Sequence, residues 1–135
     1  MMSERYLLDT STVSDIIVEN AASVRHLMAA PVGSITVSTI SEAELLFGVA
    51  RRNRSKRLTM AVEAFLHRVA IVAWDSAAAK HYAELRVNLE SAGTPLAAMD
   101  LLIAAQAMAL QATLVTSDRA FRHVKGLRAV DWRKA

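Results

Sequence analysis

Short apolar runs separated by longer helical patterns dominate this chain and confine it to few folds. Arg5-Tyr6-Leu7-Leu8-Asp9, Ser34 to Val37, Val69-Ala70-Ile71-Val72-Ala73-Trp74 and Thr113-Leu114-Val115-Thr116 each have strand length, and a last run near Leu127 to Val130 completes the series. Between them lie helical patterns: Ser11 or Ser14 can cap a helix through about Leu27, Ser41 opens one towards Arg52, and Lys56 to Arg68 forms another. Asp75 can cap a helix to about Ala92, and Gly93-Thr94-Pro95 breaks the chain before a long helix over Leu96 to Leu110. Strands that alternate with helices and are apolar through both faces predict a parallel sheet covered on both sides, an α/β sandwich.

At 135 residues there is room for one hydrophobic core system, so residues 1–135 are expected to form a single domain. An apolar fraction of 53% against 21% charged residues argues for extensive burial and against disorder. The start, Met1-Met2-Ser3-Glu4-Arg5-Tyr6, lacks the basic flank and long apolar stretch of a signal peptide. The low-charge stretch from Ser91 to Ser117 is interrupted by Gly93, Pro95, Asp100 and two glutamines, which makes it a buried helix rather than a membrane span. The absence of cysteine fits a reducing compartment and removes thiolate nucleophiles and cysteine zinc sites. A cytoplasmic location away from membranes is the expectation.

In an open parallel sheet the functional site lies at the carboxyl ends of the strands. Asp9 and Asp118 end strand-like runs, and Asp100 is the only charged residue between Glu90 and Asp118. A lone buried carboxylate costs roughly several kcal/mol unless a cation or strong donors compensate it. Asp100 could instead merely complement its helix dipole, a gain of only about 0.3 to 1 kcal/mol. Glu44 is ambiguous, because Ser41-Glu42-Ala43-Glu44 also fits a helix capping box, and helical projection puts Glu42, not Glu44, nearer Leu45, Leu46 and Val49.

Several acids at one sheet edge repel one another unless a hard cation sits between them, and oxygen-only ligands select Mg2+ or Mn2+. Such a site suits phosphoryl chemistry. Two basic regions accompany it, one of Arg51, Arg52, Arg54, Lys56 and Arg57 and one of Arg119, Arg122, Lys125, Arg128, Arg133 and Lys134. Cationic regions of this kind suit a polyanion such as nucleic acid, although each is also compatible with a solvated helix end or tail. His26, His67, His81 and His123 show no ligand spacing, and Asp75 before Ser76-Ala77-Ala78 reads as a helix cap. No glycine-rich phosphate loop and no Ser-His-Asp pattern is present.

These residues resemble the PIN domain family and, within it, the VapC-type toxins. Tyr6-Leu7-Leu8-Asp9-Thr10-Ser11 looks like the family's opening strand and first acid. Val37 to Leu45 followed by Gly48 is similar to the second motif, whose acid immediately precedes the leucine, which points to Glu44. Gly93-Thr94-Pro95 with Asp100 to Ala105 resembles the third, and Leu114-Val115-Thr116-Ser117-Asp118 with Phe121 and Gly126-Leu127 the fourth. Gln106 departs from the pattern where many relatives have histidine, and Ser117 stands at a variable position.

The resemblance implies a three-layer α/β/α sandwich with a central, mostly parallel sheet. It implies a Mg2+- or Mn2+-dependent endoribonuclease, the toxin of a toxin–antitoxin pair. Asp9, Asp100 and Asp118 would bind metal, with Asp9 and Asp100 the chief ligands, and Glu44 would complete the catalytic acids. Ser11 and Thr116 would be supporting hydroxyls, and Arg119 would approach substrate phosphate. RNA, a VapB-type antitoxin and a second copy of the chain are the implied partners. Two alternatives stand beside this reading. One is a PIN-fold protein in RNA processing, or one without catalysis that binds RNA. The other is a receiver-like signalling module, which would need a lysine after the late strand, where none occurs.

Overall fold

The computed structural model describes residues 4–53 and 55–134. Met1, Met2 and Ser3 of the opening segment and Arg54 of the first basic region therefore lie outside the described residues. The elements run β1 (Tyr6–Leu8), α1 (Thr10–Ile17), α2 (Ala21–Ala29), β2 (Ile35–Ser38), α3 (Thr39–Arg51), α4 (Lys56–Arg68) and β3 (Ala70–Val72). They continue with α5 (Ser76–Ser91), α6 (Ala98–Leu110), β4 (Thr113–Val115), a short 3-10 helix (Arg119–His123) and β5 (Ala129–Val130).

The five strands form one sheet in the order β3-β2-β1-β4-β5, and every neighbouring pair is parallel. Leu7 aligns with Thr36 on one side and Leu114 on the other, and Leu8 aligns with Val37 and Val115. Because successive strand residues face opposite sides, the two rows feed two cores. Leu7 and Leu114 pack under α5 and α6 with Leu85, Leu89, Leu101 and Ile103. Leu8, Val37 and Val115 pack with Val13 and Ile16 of α1, Leu45 and Val49 of α3, Val62 and Phe65 of α4, and Trp132. The expected three layers are thus present, with a sheet parallel throughout.

Four local expectations are corrected. The helix expected to run to about Leu27 is two helices, because the chain turns after Ile17. Glu19 adopts φ 60°, the Asn20 amide donates to the Asp15 carbonyl, and the Asn20 side chain then caps α2 through the Ser23 amide at 3.1 Å. Neither Ser11 nor Ser14 starts α1, since Asp9 caps it. Helix α3 opens at Thr39 behind a Ser38 cap, two residues earlier than expected, so Ser41 is a fully buried interior residue and no capping box ties Glu44 to it. Finally, Ala70 and Ile71 of the third strand are exposed, because β3 is the sheet edge and pairs only with β2.

Asp75 caps α5, accepting from the Ala78 amide at 3.1 Å. Gly93 ends that helix at φ 73°, where a side chain would be strained, while the Thr94 amide reaches back to the Leu89 carbonyl. No helix among the described residues is long and apolar enough to cross a membrane.

Candidate active site

β1 is the central strand, flanked by β2 and β4, so the residue that follows it emerges in the middle of the carboxyl edge. That residue is Asp9, 8% exposed. Its Oδ1 accepts from the Thr12 amide at 2.8 Å, and the Thr12 hydroxyl donates to the Val115 carbonyl at 3.0 Å, which ties the start of α1 to β4.

Asp118 follows β4. The buried Thr116 hydroxyl accepts from the Asp118 amide at 3.1 Å, and Asp118 Oδ1 accepts from the Ala120 amide at 2.9 Å, capping the 3-10 helix. Glu44 comes from α3 and is held across the edge by Thr10, whose hydroxyl donates to Glu44 Oε1 at 2.8 Å and lies 3.1 Å from Ser41 Oγ. Asp100 lies in the first turn of α6. Burial, and after it the charges of Asp118, Asp9 and Glu44, push the Asp100 carboxyl above the ordinary range. Four acids from four parts of the chain therefore share one region. Glu42 contributes nothing resolvable to the field at Asp100.

The donor set suits a hard cation. Asp9, Glu44 and Asp118 are each fixed through one oxygen, while the second oxygen has no protein donor among the described residues, and Asp100 has no hydrogen-bond partner there at all. Among the described residues no three Asp, Glu or His side chains are gathered closely enough to hold a metal ion between them. All available donors are oxygens, which matches Mg2+ or Mn2+ better than a softer ion.

The remaining sequence candidates divide. Arg119 is exposed beside Asp118 and lines a cleft of about 610 Å3 with Thr116, Ser117 and Asp118. Ser11 is exposed on the first turn of α1, and its hydroxyl makes no hydrogen bond among the described residues; its neighbour Thr10 makes the contact with Glu44 instead. Thr10 was not singled out by sequence, although its place directly after a strand-end acid is a usable signal. Gln106 is buried at 1% exposure, and its Nε2 donates to the Val72 and Ala73 carbonyls at 3.2 Å each. His26 stacks on Trp132 with ring centroids 5.7 Å apart, and His81 Nδ1 contacts the Ala77 carbonyl, both structural arrangements.

Sequence reasoning also missed the pair behind the acids. Arg133 makes a two-pronged contact with buried Asp15 of α1, Nε to Oδ2 at 2.6 Å and Nη2 to Oδ1 at 2.7 Å. Ser117 donates to Asp131 Oδ1 at 2.7 Å, so the segment after β4 and the C-terminal segment are joined beside the site. An acid on the apolar side of α1 was the available signal, but nothing local names a partner 118 positions away.

Comparison with known proteins agrees with this fold. The PIN domain family model matches residues 6–127. The chain is similar to the tRNA(fMet)-specific endonuclease VapC of Shigella flexneri, with 31% identity over 129 residues covering 95% of this chain and 98% of that protein. Among solved structures it is similar to VapBC2 from Rickettsia felis bound to a DNA fragment from their promoter. The TM-score is 0.87 at 31% identity, over 94% of this chain and 98% of that one. It is also similar to DNA-bound VapBC from Salmonella typhimurium, with a TM-score of 0.88 at 28% identity, over 96% and 99% of the two chains. The all-parallel five-stranded sheet and these matches agree, and the chain belongs to the PIN domain family, in its VapC-type group.

Proposed function

We propose that this protein is a divalent-metal-dependent endoribonuclease that hydrolyses RNA phosphodiester bonds and serves as the toxin of a toxin–antitoxin pair. The observation that carries the reading is the group of carboxylates at the sheet's carboxyl edge, three of them pinned through one oxygen and open at the other. Support for RNA as substrate comes from relatives named as tRNA-specific endonuclease and ribonuclease. Support for the antitoxin comes from similar structures named as VapBC complexes.

In this reading Asp9, Asp100 and Asp118 would hold Mg2+ or Mn2+, with Glu44 completing the acidic group. A cation held there would make a bound water more acidic and offset charge on the phosphate oxygens. The protein's part is placement. Thr12 and Val115 keep Asp9 at the mouth of the central strand, Thr10 aims Glu44, and Thr116 fixes the turn that presents Asp118. Arg119 beside Asp118 offers a cation to the scissile phosphate, and exposed Ser11 is available to orient substrate or water. The reaction consumes one water and breaks one P–O bond of the RNA backbone. A VapB-type antitoxin and a second copy of this one-domain chain are its protein partners, acting in the cytoplasm.

The test is cleavage of total and transfer RNA by protein freed of any partner, with Mg2+, with Mn2+ and with chelator, beside Asp100→Asn. Discrete fragments that require metal and vanish in the variant are expected. Full cleavage by folded Asp100→Asn would overturn the mechanism.

A further inference from the structure

Of the four acids only Asp118 lines the cleft described above, and the cleft's other charged lining residues are four cations and Asp131. Arg119 and Arg122 stand on the 3-10 helix along one side, and Arg133 and Lys134 of the C-terminal segment line it too. Phe121 and Val124, at 3% and 4% exposure, anchor that short helix in the core beneath α5 and α6. In a 3-10 helix side chains three apart eclipse, so Arg119 and Arg122 project from one face about 6 Å apart along its axis. That separation is comparable to the spacing of neighbouring phosphates along a strand.

The two arginines are free for such a role. Among the described residues neither Arg119 nor Arg122 has an acidic partner within salt-bridge distance, whereas Arg133 is committed to Asp15. Lys134 lies near Asp131 without a salt bridge, while Asp131 is occupied by the Ser117 hydroxyl and the Arg133 amide. The other basic region is engaged differently. Arg51 lies over the Phe47 ring at 5.6 Å, and with Arg52 it borders a groove that includes Ile17, Val18, Leu45 and Leu58.

We propose that the cleft between the 3-10 helix and the C-terminal segment is the RNA track, in which Arg119 and Arg122 hold consecutive backbone phosphates that lead to the acidic edge. This rests on the ribonuclease reading and adds the path of the strand. The track reads the backbone and not the bases, because its one aromatic lining residue, Phe121, is buried and offers no stacking face. Arg133, which also lines the cleft, is held by Asp15.

The test uses the full chain carrying Asp100→Asn, in Mg2+, with labelled oligouridylate and oligoadenylate as probes. Arg119→Gln with Arg122→Gln should weaken both probes alike, and the salt dependence of log K should flatten by about 1.4, near 0.7 per lost phosphate contact on a single strand. Arg119→Lys with Arg122→Lys should retain most binding, which separates charge from folding. Arg51→Gln with Arg52→Gln, an equal change in charge, should leave RNA binding much less affected. Undiminished binding in the first pair, or an equal loss in both pairs, overturns the track while RNA cleavage by the wild-type chain leaves the ribonuclease reading standing. A wild-type chain that cuts no RNA, with a parent that binds neither probe, overturns both.

Discussion

Thr10 illustrates how much of the site depends on single side chains outside the acids. Its hydroxyl is the one protein donor to Glu44 among the described residues, and it links the first turn of α1 to the middle of α3. Thr10→Val keeps the shape and removes that donor. We expect RNA cleavage to fall about 10- to 100-fold, the usual effect of losing a group that orients a functional side chain, while the fold remains. Cleavage rates at saturating Mn2+ check this, and an unchanged rate would mean that Glu44 acts independently of Thr10. Asp100 gives a second prediction at this scale. Its folded-state carboxyl titrates above the ordinary value, first because of burial and then because of Asp118, Asp9 and Glu44. A raised carboxyl favours the protonated form, so its stabilising contribution is present in acid and is lost as pH rises through the raised value. In protein stripped of metal, Asp100→Asn should therefore melt higher than the parent at neutral pH, with the gap narrowing as pH falls into the carboxylate range. The same variant should lose the gain in melting temperature that Mg2+ or Mn2+ gives the parent. A parent that melts above the variant in chelator at neutral pH would contradict this.

At the scale of elements, the C-terminal segment is as much a part of the site as the strands. Trp132, 5% exposed, packs against Tyr6 with ring centroids 5.6 Å apart and stacks on His26, whose Nε2 lies 3.0 Å from the Lys134 carbonyl. These contacts, with Arg133–Asp15 and Ser117–Asp131, fasten the chain end to β1, α1, α2 and the segment after β4. Trp132→Ala should cost about 3 to 5 kcal/mol, the range for emptying a large aromatic site, and denaturant unfolding measures it. A loss below about 1 kcal/mol would show that the segment rests on the body without stabilising it. Gly93→Ala is milder. The site has open space for a Cβ but a φ of 73°, so the cost is backbone strain of about 1 kcal/mol and not a clash.

At the scale of the molecule, a parallel sheet whose central strand ends in Asp9 gathers acids that lie far apart in the chain. Local patterns are sufficient for much of this. The punctuation at Gly93-Thr94-Pro95 and the cap at Asp75 act within a few residues of themselves, and the apolar strand-length runs state that both faces are covered. The break after α1 was less legible, since an Asn-Ala-Ala-Ser cap is weak against an otherwise continuous helical pattern. Periodicity alone would not choose Glu44 over Glu42, because the contact that holds Glu44 depends on where Thr10 of a different element stands. The exposure of the apolar third strand, the buried Asp15–Arg133 pair and the cleft beside Asp118 follow from strand order and chain closure. Elements are written in short-range periodicity and turn chemistry. Which side chains finally meet is settled by long-range strand pairing, and no local window of residues contains that information.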